Sequence, residues 1–159
     1  MADSRHNRII LQNFKKVQKL GNPYIKYVLS QDISVWYVLF HGFSGDSDEF
    51  VDGEYLCKIV IPAEFPKNPP QFYMLTPNGL YECNGKVCIS IGEFHENSYI
   101  NTLGIAGFTE QLVSGFIGWR TIGAGTRLLD STVAEKKHLA SQSKGYNAAH
   151  HAEIMALFE

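Results

Sequence analysis

No stretch of this chain approaches the ~18 to 20 consecutive apolar residues that a membrane-spanning helix requires. The start, Met1-Ala2-Asp3-Ser4-Arg5, lacks the apolar segment of a secretory signal. Cysteine is sparse. There are three, Cys57, Cys83 and Cys88, an odd number without a C-x-x-C pair. That argues against a secreted disulfide scaffold and for a reducing compartment. Charge of one sign is also lacking. The formal net charge is −2, so no bulk basicity points to nucleic acid as a partner. Internal repeats and a clear linker are absent as well. These absences leave a soluble, cytoplasmic chain as the expectation, and nothing in them demands more than a monomer.

The chain has 159 residues, with 45% apolar and 19% charged side chains. This is ordinary globular composition, enough for one domain over residues 1–159 with a real core. Residues 4–19 read as a helix with Ile10, Phe14 and Val17 on one face. Leu20-Gly21-Asn22-Pro23 ends it. Three segments rich in β-branched and aromatic residues follow, at 24–29, 35–40 and 54–61. Between the last two lies an acidic connection, with Asp46, Asp48, Glu49 and Asp52. It reads as a solvated hairpin tip, because its oxygens lack the spacing of a calcium loop.

Proline is rare but concentrated. Four of the six prolines, Pro62, Pro66, Pro69 and Pro70, fall within nine positions. They remove four backbone donors, so a rigid surface loop belongs there. A fourth strand is expected over 71–75, then irregular chain through Cys88. Residues 101–119 read as a helix despite Gly104, Gly107, Gly115 and Gly118. Each glycine costs about 1 kcal/mol relative to alanine, so this helix must be buried or permit close packing. Thr132-Val133-Ala134-Glu135 is a capping box that starts another helix. Gly145 is expected to break it, with a last helix over 146–158. The expected fold class is α+β: one helix, a four-stranded antiparallel meander, an irregular loop and C-terminal helices.

Chemistry concentrates around one cysteine. Cys88 sits in Gly85-Lys86-Val87-Cys88-Ile89-Ser90-Ile91, ten positions after the Asn of Thr76-Pro77-Asn78-Gly79. A thiol and a side-chain amide on irregular loops supply a nucleophile and a donor for an oxyanion. Taken alone, each has a plainer reading. Free cysteine is among the most buried residue types, and an Asn before Gly is a common turn residue. Cys57 falls in a strand and reads as core. Cys83 has no role assigned. His150-His151 lacks further ligands at site-forming spacing, so no metal is expected.

The proline strip Pro62-Ala63-Glu64-Phe65-Pro66-Lys67-Asn68-Pro69-Pro70, the Pro77-Asn78 pair and the Gly85-to-Cys88 turn occur in one order. In that order they resemble the ubiquitin-conjugating enzymes, over roughly residues 5–145. The likeness is strongest to the J-type subfamily, which shares the long Asn-to-Cys gap and the ending of the cysteine turn. Better-known J-type members carry a C-terminal membrane anchor, and Glu159 ends this sequence without one.

The resemblance implies the UBC fold and a sequence of acyl transfers. Cys88 would take ubiquitin as a thioester from the activating enzyme, which uses ATP upstream. With a ligase, the enzyme would then pass ubiquitin to a substrate lysine. No bound cofactor or metal is implied. Asn78 would support the loop and stabilise the oxyanion. Thr76 stands where most of the family has His, a residue that common J-type members also lack. Ser90 replaces the Asp that often lies near the acceptor, and J-type relatives are associated with hydroxyl acceptors as well as lysine. Arg5, Lys15 and Lys16 lie on the helix that docks the activating enzyme. Phe65, Lys67 and Tyr99 lie on loops that resemble the ligase surface. His95 reads as a surface loop residue. Other readings are a non-catalytic ubiquitin-binding variant of the fold, a conjugating enzyme for a ubiquitin-like modifier, and a cysteine hydrolase, which would need a general-base His placed in space and for which no motif appears.

Overall fold

A computed structural model describes residues 4–43, 48–87, 104–120 and 128–159. Helix α1 (Ser4–Leu20) buries Ile10 and Val17. Phe14, on the same face, meets Trp36 edge-on at 5.1 Å between ring centroids. Gly21, at φ +60, turns the chain out of the helix. Strands β1 (Ile25–Leu29), β2 (Val35–Phe40), β3 (Tyr55–Val60) and β4 (Gln71–Met74) form one antiparallel sheet in sequence order. This is the meander that the alternating segments predict.

Register explains how the sheet makes a core. Tyr27, Val38, Cys57 and Met74 are successive cross-strand partners, and all four are buried. Leu29, Trp36, Ile59 and Phe72 form the parallel row two residues away. Side chains alternate along a strand, so both rows line one face. Helix α2 (Gly104–Gly118) is buried along Ile105, Phe108, Leu112 and Phe116. Phe116 stacks on Tyr55 at 5.0 Å, with Phe50 edge-on at 4.9 Å and Tyr81 at 5.4 Å. Tyr27 Oη and Thr109 Oγ1 lie 2.5 Å apart, which ties β1 to α2.

One of the four glycines in this helix has a clear purpose. A Cβ at Gly115 would lie 1.8 Å from the Tyr81 hydroxyl oxygen and 2.8 Å from its ring carbon. The missing side chain lets Tyr81 lie against the helix and donate to Leu112 O at 2.8 Å. Gly115→Ala is therefore expected to destabilise the protein by about 3 kcal/mol, the upper range for overpacking. A denaturant melt checks this, and an unchanged midpoint would refute the close approach.

Two expectations need correction. Helix α3 (Val133–His150) runs straight through Gly145, and the break comes at His151 before the short α4 (Ala152–Ala156). The reason is tertiary. Ser143 Oγ accepts from Glu54 N at 2.9 Å, and Asn147 Nδ2 donates to Glu54 O at 2.9 Å. These anchors lie one turn apart on either side of Gly145, and a continuous helix is needed to present both. They outweigh the ~1 kcal/mol cost of the glycine. The capping box does start α3, with Thr132 Oγ1 accepting from Glu135 N at 3.0 Å.

The acidic connection is also not wholly solvated. Glu49, in a short 3-10 turn at Asp48–Phe50, is only 3% exposed. Its Oε1 pairs with Arg120 Nη2, and its Oε2 accepts from Trp119 Nε1 at 3.3 Å. A buried carboxylate persists because it is paired and hydrogen-bonded. Residues 44–47 of the same connection lie outside the described residues.

Candidate active site

The proline strip comes first. Phe65 N donates to Pro62 O at 3.0 Å, and the chain crosses a cis Phe65–Pro66 peptide. Phe65 is 4% exposed and belongs to the core. The expected partner-facing aromatic therefore points inward, because an apolar ring here gains more from the core than from water. Lys67 remains exposed. Beside it, Asn68 Nδ2 bonds Glu64 Oε2 at 2.9 Å. The outer face of this loop is thus polar.

Beyond β4 the chain is fastened to α3. Thr76 Oγ1 accepts from Leu56 N at 2.8 Å and donates to Asn147 Oδ1 at 2.5 Å. Thr76 and Asn147 are both fully buried. A small hydroxyl suits this position because one side chain must serve a strand N–H and a helix amide together.

Asn78 organises the next turn. Its Oδ1 accepts from Leu80 N at 2.9 Å and Tyr81 N at 2.7 Å, and its Nδ2 donates to Thr76 O at 3.0 Å. It is 1% exposed. This is an Asx-turn whose side chain replaces backbone partners. Gly79 sits at φ +78, where glycine is at ease. Tyr81 then drops into the Gly115 notch.

The last described residues before the cysteine are pinned to the sheet edge. Asn84 N donates to Met74 O at 2.9 Å and Val87 N to Phe72 O at 2.7 Å. Val87 is 5% exposed and belongs to the core. Cys88, Ser90, His95 and Tyr99 lie outside the described residues, as does the 121–127 stretch.

The two described cysteines are poorly suited to nucleophilic work. Burial pushes the Cys57 thiol up to about 12, and burial also raises that of Cys83. A reactive thiol needs the opposite shift. Arg5, Lys15 and Lys16 are exposed along α1. His150 stacks on Tyr146 at 4.1 Å, and His151 Nε2 lies 3.3 Å from Leu75 O. Both histidines thus have packing roles. Among the described residues, no helix is long and apolar enough to cross a membrane.

Residues not singled out from the sequence surround the Asn78 turn. Lys136, Ser131, Trp119 and Glu49 form a polar cluster behind Gly79. Lys136, Ala140, Ser143 and Asn147 recur at helical spacing and are all buried in α3. Because this face is largely polar, an apolar period does not reveal it.

A helix, a four-stranded meander, an Asx-turn and a pinned approach to a cysteine, followed by further helices, define the class: the UBC fold of ubiquitin-conjugating enzymes. A Plasmodium falciparum ubiquitin-conjugating enzyme E2 superposes with TM-score 0.60 at 22% identity, over 70% of this chain and 97% of that one. No family model matches the chain. Ubiquitin-conjugating enzyme E2 J2 of Mus musculus is 30% identical over 138 residues, 86% of this chain and 51% of that protein. Ubiquitin-conjugating enzyme E2 32 of Arabidopsis thaliana is 40% identical over 104 residues, 60% of this chain and 32% of that protein. The chain belongs to the ubiquitin-conjugating enzyme family. It spans about half the length, or less, of these two curated relatives.

Proposed function

We propose that this chain is a ubiquitin-conjugating enzyme that carries ubiquitin as a thioester on Cys88. The Cys88 thiolate attacks the carbonyl carbon of ubiquitin's C-terminus in its thioester with the activating enzyme. A new sulfur–carbon bond forms, the activating enzyme's thiolate leaves, and that thiolate takes up a proton. A substrate lysine, brought by a ligase, then attacks the same carbon. The tetrahedral intermediate expels the Cys88 thiolate, and the amine loses its proton as the isopeptide bond forms. A thioester is already activated, so the protein's work is to orient the acyl group and stabilise the oxyanion. No bound metal or cofactor is required, since ATP is consumed upstream. We read the enzyme as a monomer working in the cytoplasm, where thiols stay reduced.

The observation that carries this reading is the pinned approach to Cys88. Val87 is tied to β4 through Phe72 O, and the Asn78 turn is tied to the same sheet end and to α3. Arg5, Lys15 and Lys16 are the side chains we assign to the activating enzyme, and Lys67 and Tyr99 to the ligase. Ser90 is assigned a place near the acceptor. Phe65 acts there only by supporting its loop from within.

The test is a charging assay with ubiquitin, activating enzyme and ATP on wild type and Cys88→Ala. A reductant-sensitive adduct one ubiquitin heavier is expected on wild type and is lost in the variant. No adduct on wild type, beside a control enzyme that charges, would overturn the reading in favour of another modifier or a binding module.

A further inference from the structure

Lys136 is a fully buried cation in the first turns of α3. Its Nζ donates to Ser131 O at 2.8 Å and to Ser131 Oγ at 2.7 Å. The ammonium also lies 4.1 Å from the centroid of the Trp119 ring, a favourable cation–π distance. Ser131 Oγ donates in turn to Gly79 O at 2.5 Å. Alongside, Leu129 N donates to Leu80 O at 2.8 Å.

The direction of this relay is fixed by chemistry. An ammonium has only donors, so Ser131 Oγ must accept from Lys136. Its one proton is then free for Gly79 O. That carbonyl belongs to the Gly79–Leu80 peptide, whose N–H donates to Asn78 Oδ1. A peptide unit is planar. One plane is therefore held at its oxygen by Lys136 through Ser131, and at its hydrogen by Asn78. The space is tight: a Cβ on Gly79 would come within 2.9 Å of Ser131 Oγ and 3.2 Å of Lys136 Cγ.

Core packing alone does not account for a lysine here. A methionine fills a similar volume without the cost of desolvating a charge. Among the described residues, the ammonium's hydrogen bonds go to Ser131, in the segment that runs beside the Asn78 turn. Burial draws the Lys136 pKa down, while nearby Glu49, Asp130 and Glu135 favour its charge.

We propose that Lys136 is a positioning residue for acyl transfer, acting through Ser131 to fix the Gly79–Leu80 peptide plane against Asn78. The proposal rests on the function assigned above. Its effect falls mainly on discharge to an amine, where a weaker nucleophile attacks and the thioester must be held in one orientation. Exchange between two thiols is less demanding.

The experiment compares wild type, Lys136→Met, Ser131→Ala and the double variant. Charging, single-turnover discharge to free lysine and melting temperature are measured on each. Both single variants are expected to slow discharge about tenfold, within the range for a displaced reacting group, and to slow charging much less. The double variant should be no slower than the worse single, because both act through one relay. Ser131→Ala removes one half-buried hydroxyl, so it keeps the test open if Lys136→Met fails to fold. Wild-type discharge in folded single variants would overturn the proposal, as would multiplying effects in the double variant. Failure of wild type to form any thioester would overturn the functional reading itself, a separate outcome.

Discussion

Asn78→Ala is expected to lose about 2 to 6 kcal/mol of stability and to slow discharge more than charging. The stability loss follows from counting partners. Alanine strips the acceptor from Leu80 N and Tyr81 N in a residue that is 1% exposed. Each buried donor left unsatisfied costs about 1 to 3 kcal/mol. Asn78→Asp tests which end of the amide matters. It keeps an oxygen acceptor for both N–H groups, a setting that favours a carboxylate, and gives up the bond to Thr76 O. If the acceptor role dominates, Asn78→Asp regains most of the stability and most of the discharge rate. Recovered stability with discharge still down about 10² to 10³-fold would instead assign oxyanion donation to the amide N–H. The geometry favours loop support, because the side chain already makes three bonds within its own turn.

The parts legible in sequence are those governed by local periodicity and turn chemistry. Ile10, Phe14 and Val17 mark the buried face of α1, and the alternating segments pair in order. The proline strip, Asn78 and the capping box at Thr132 each act through bonds to near neighbours in the chain. What was not legible depends on contacts between distant residues. Nothing beside Gly145 reveals that Ser143 and Asn147 both grip Glu54, so a local helix breaker looks decisive when it is not. Glu49 looks solvated until Trp119 and Arg120 reach it from the end of α2. Phe65 looks like a partner-facing aromatic because its neighbours are loop residues, yet the loop turns its ring inward. Gly115 is the intermediate case. Its cost implied close packing, but only the fold names Tyr81 as the side chain that uses the space.

Raising the pH above about 10 is expected to unfold the protein steeply, by roughly 5 kcal/mol per pH unit at the steepest point. Four buried acids produce this. Burial pushes Tyr27 up to about 12, against its hydrogen bond to Thr109. Tyr55 and Tyr81 are raised further by burial. The Tyr55 hydroxyl has no hydrogen-bond partner among the described residues. Cys57 is pushed up to about 12 in the middle of β3. In the unfolded chain these groups release protons near 10.0 for tyrosine and 9.0 for the thiol. The folded state thus holds more protons across the window, and stability falls as pH rises. Each such proton is worth about 1.4 kcal/mol per pH unit. Lys136 opposes the trend, because burial favours its neutral form and the unfolded chain keeps that proton to about 10.5. It is one group against four, so it delays the fall without reversing it. Two pH units at that slope remove up to about 10 kcal/mol, a large share of a typical stability of about 5 to 15 kcal/mol. Denaturant midpoints between about pH 8 and 11, read with tyrosinate absorbance, check the slope. Tyr27→Phe should remove about one proton from it. A flat midpoint up to about pH 11 would show that these hydroxyls reach solvent in the folded protein.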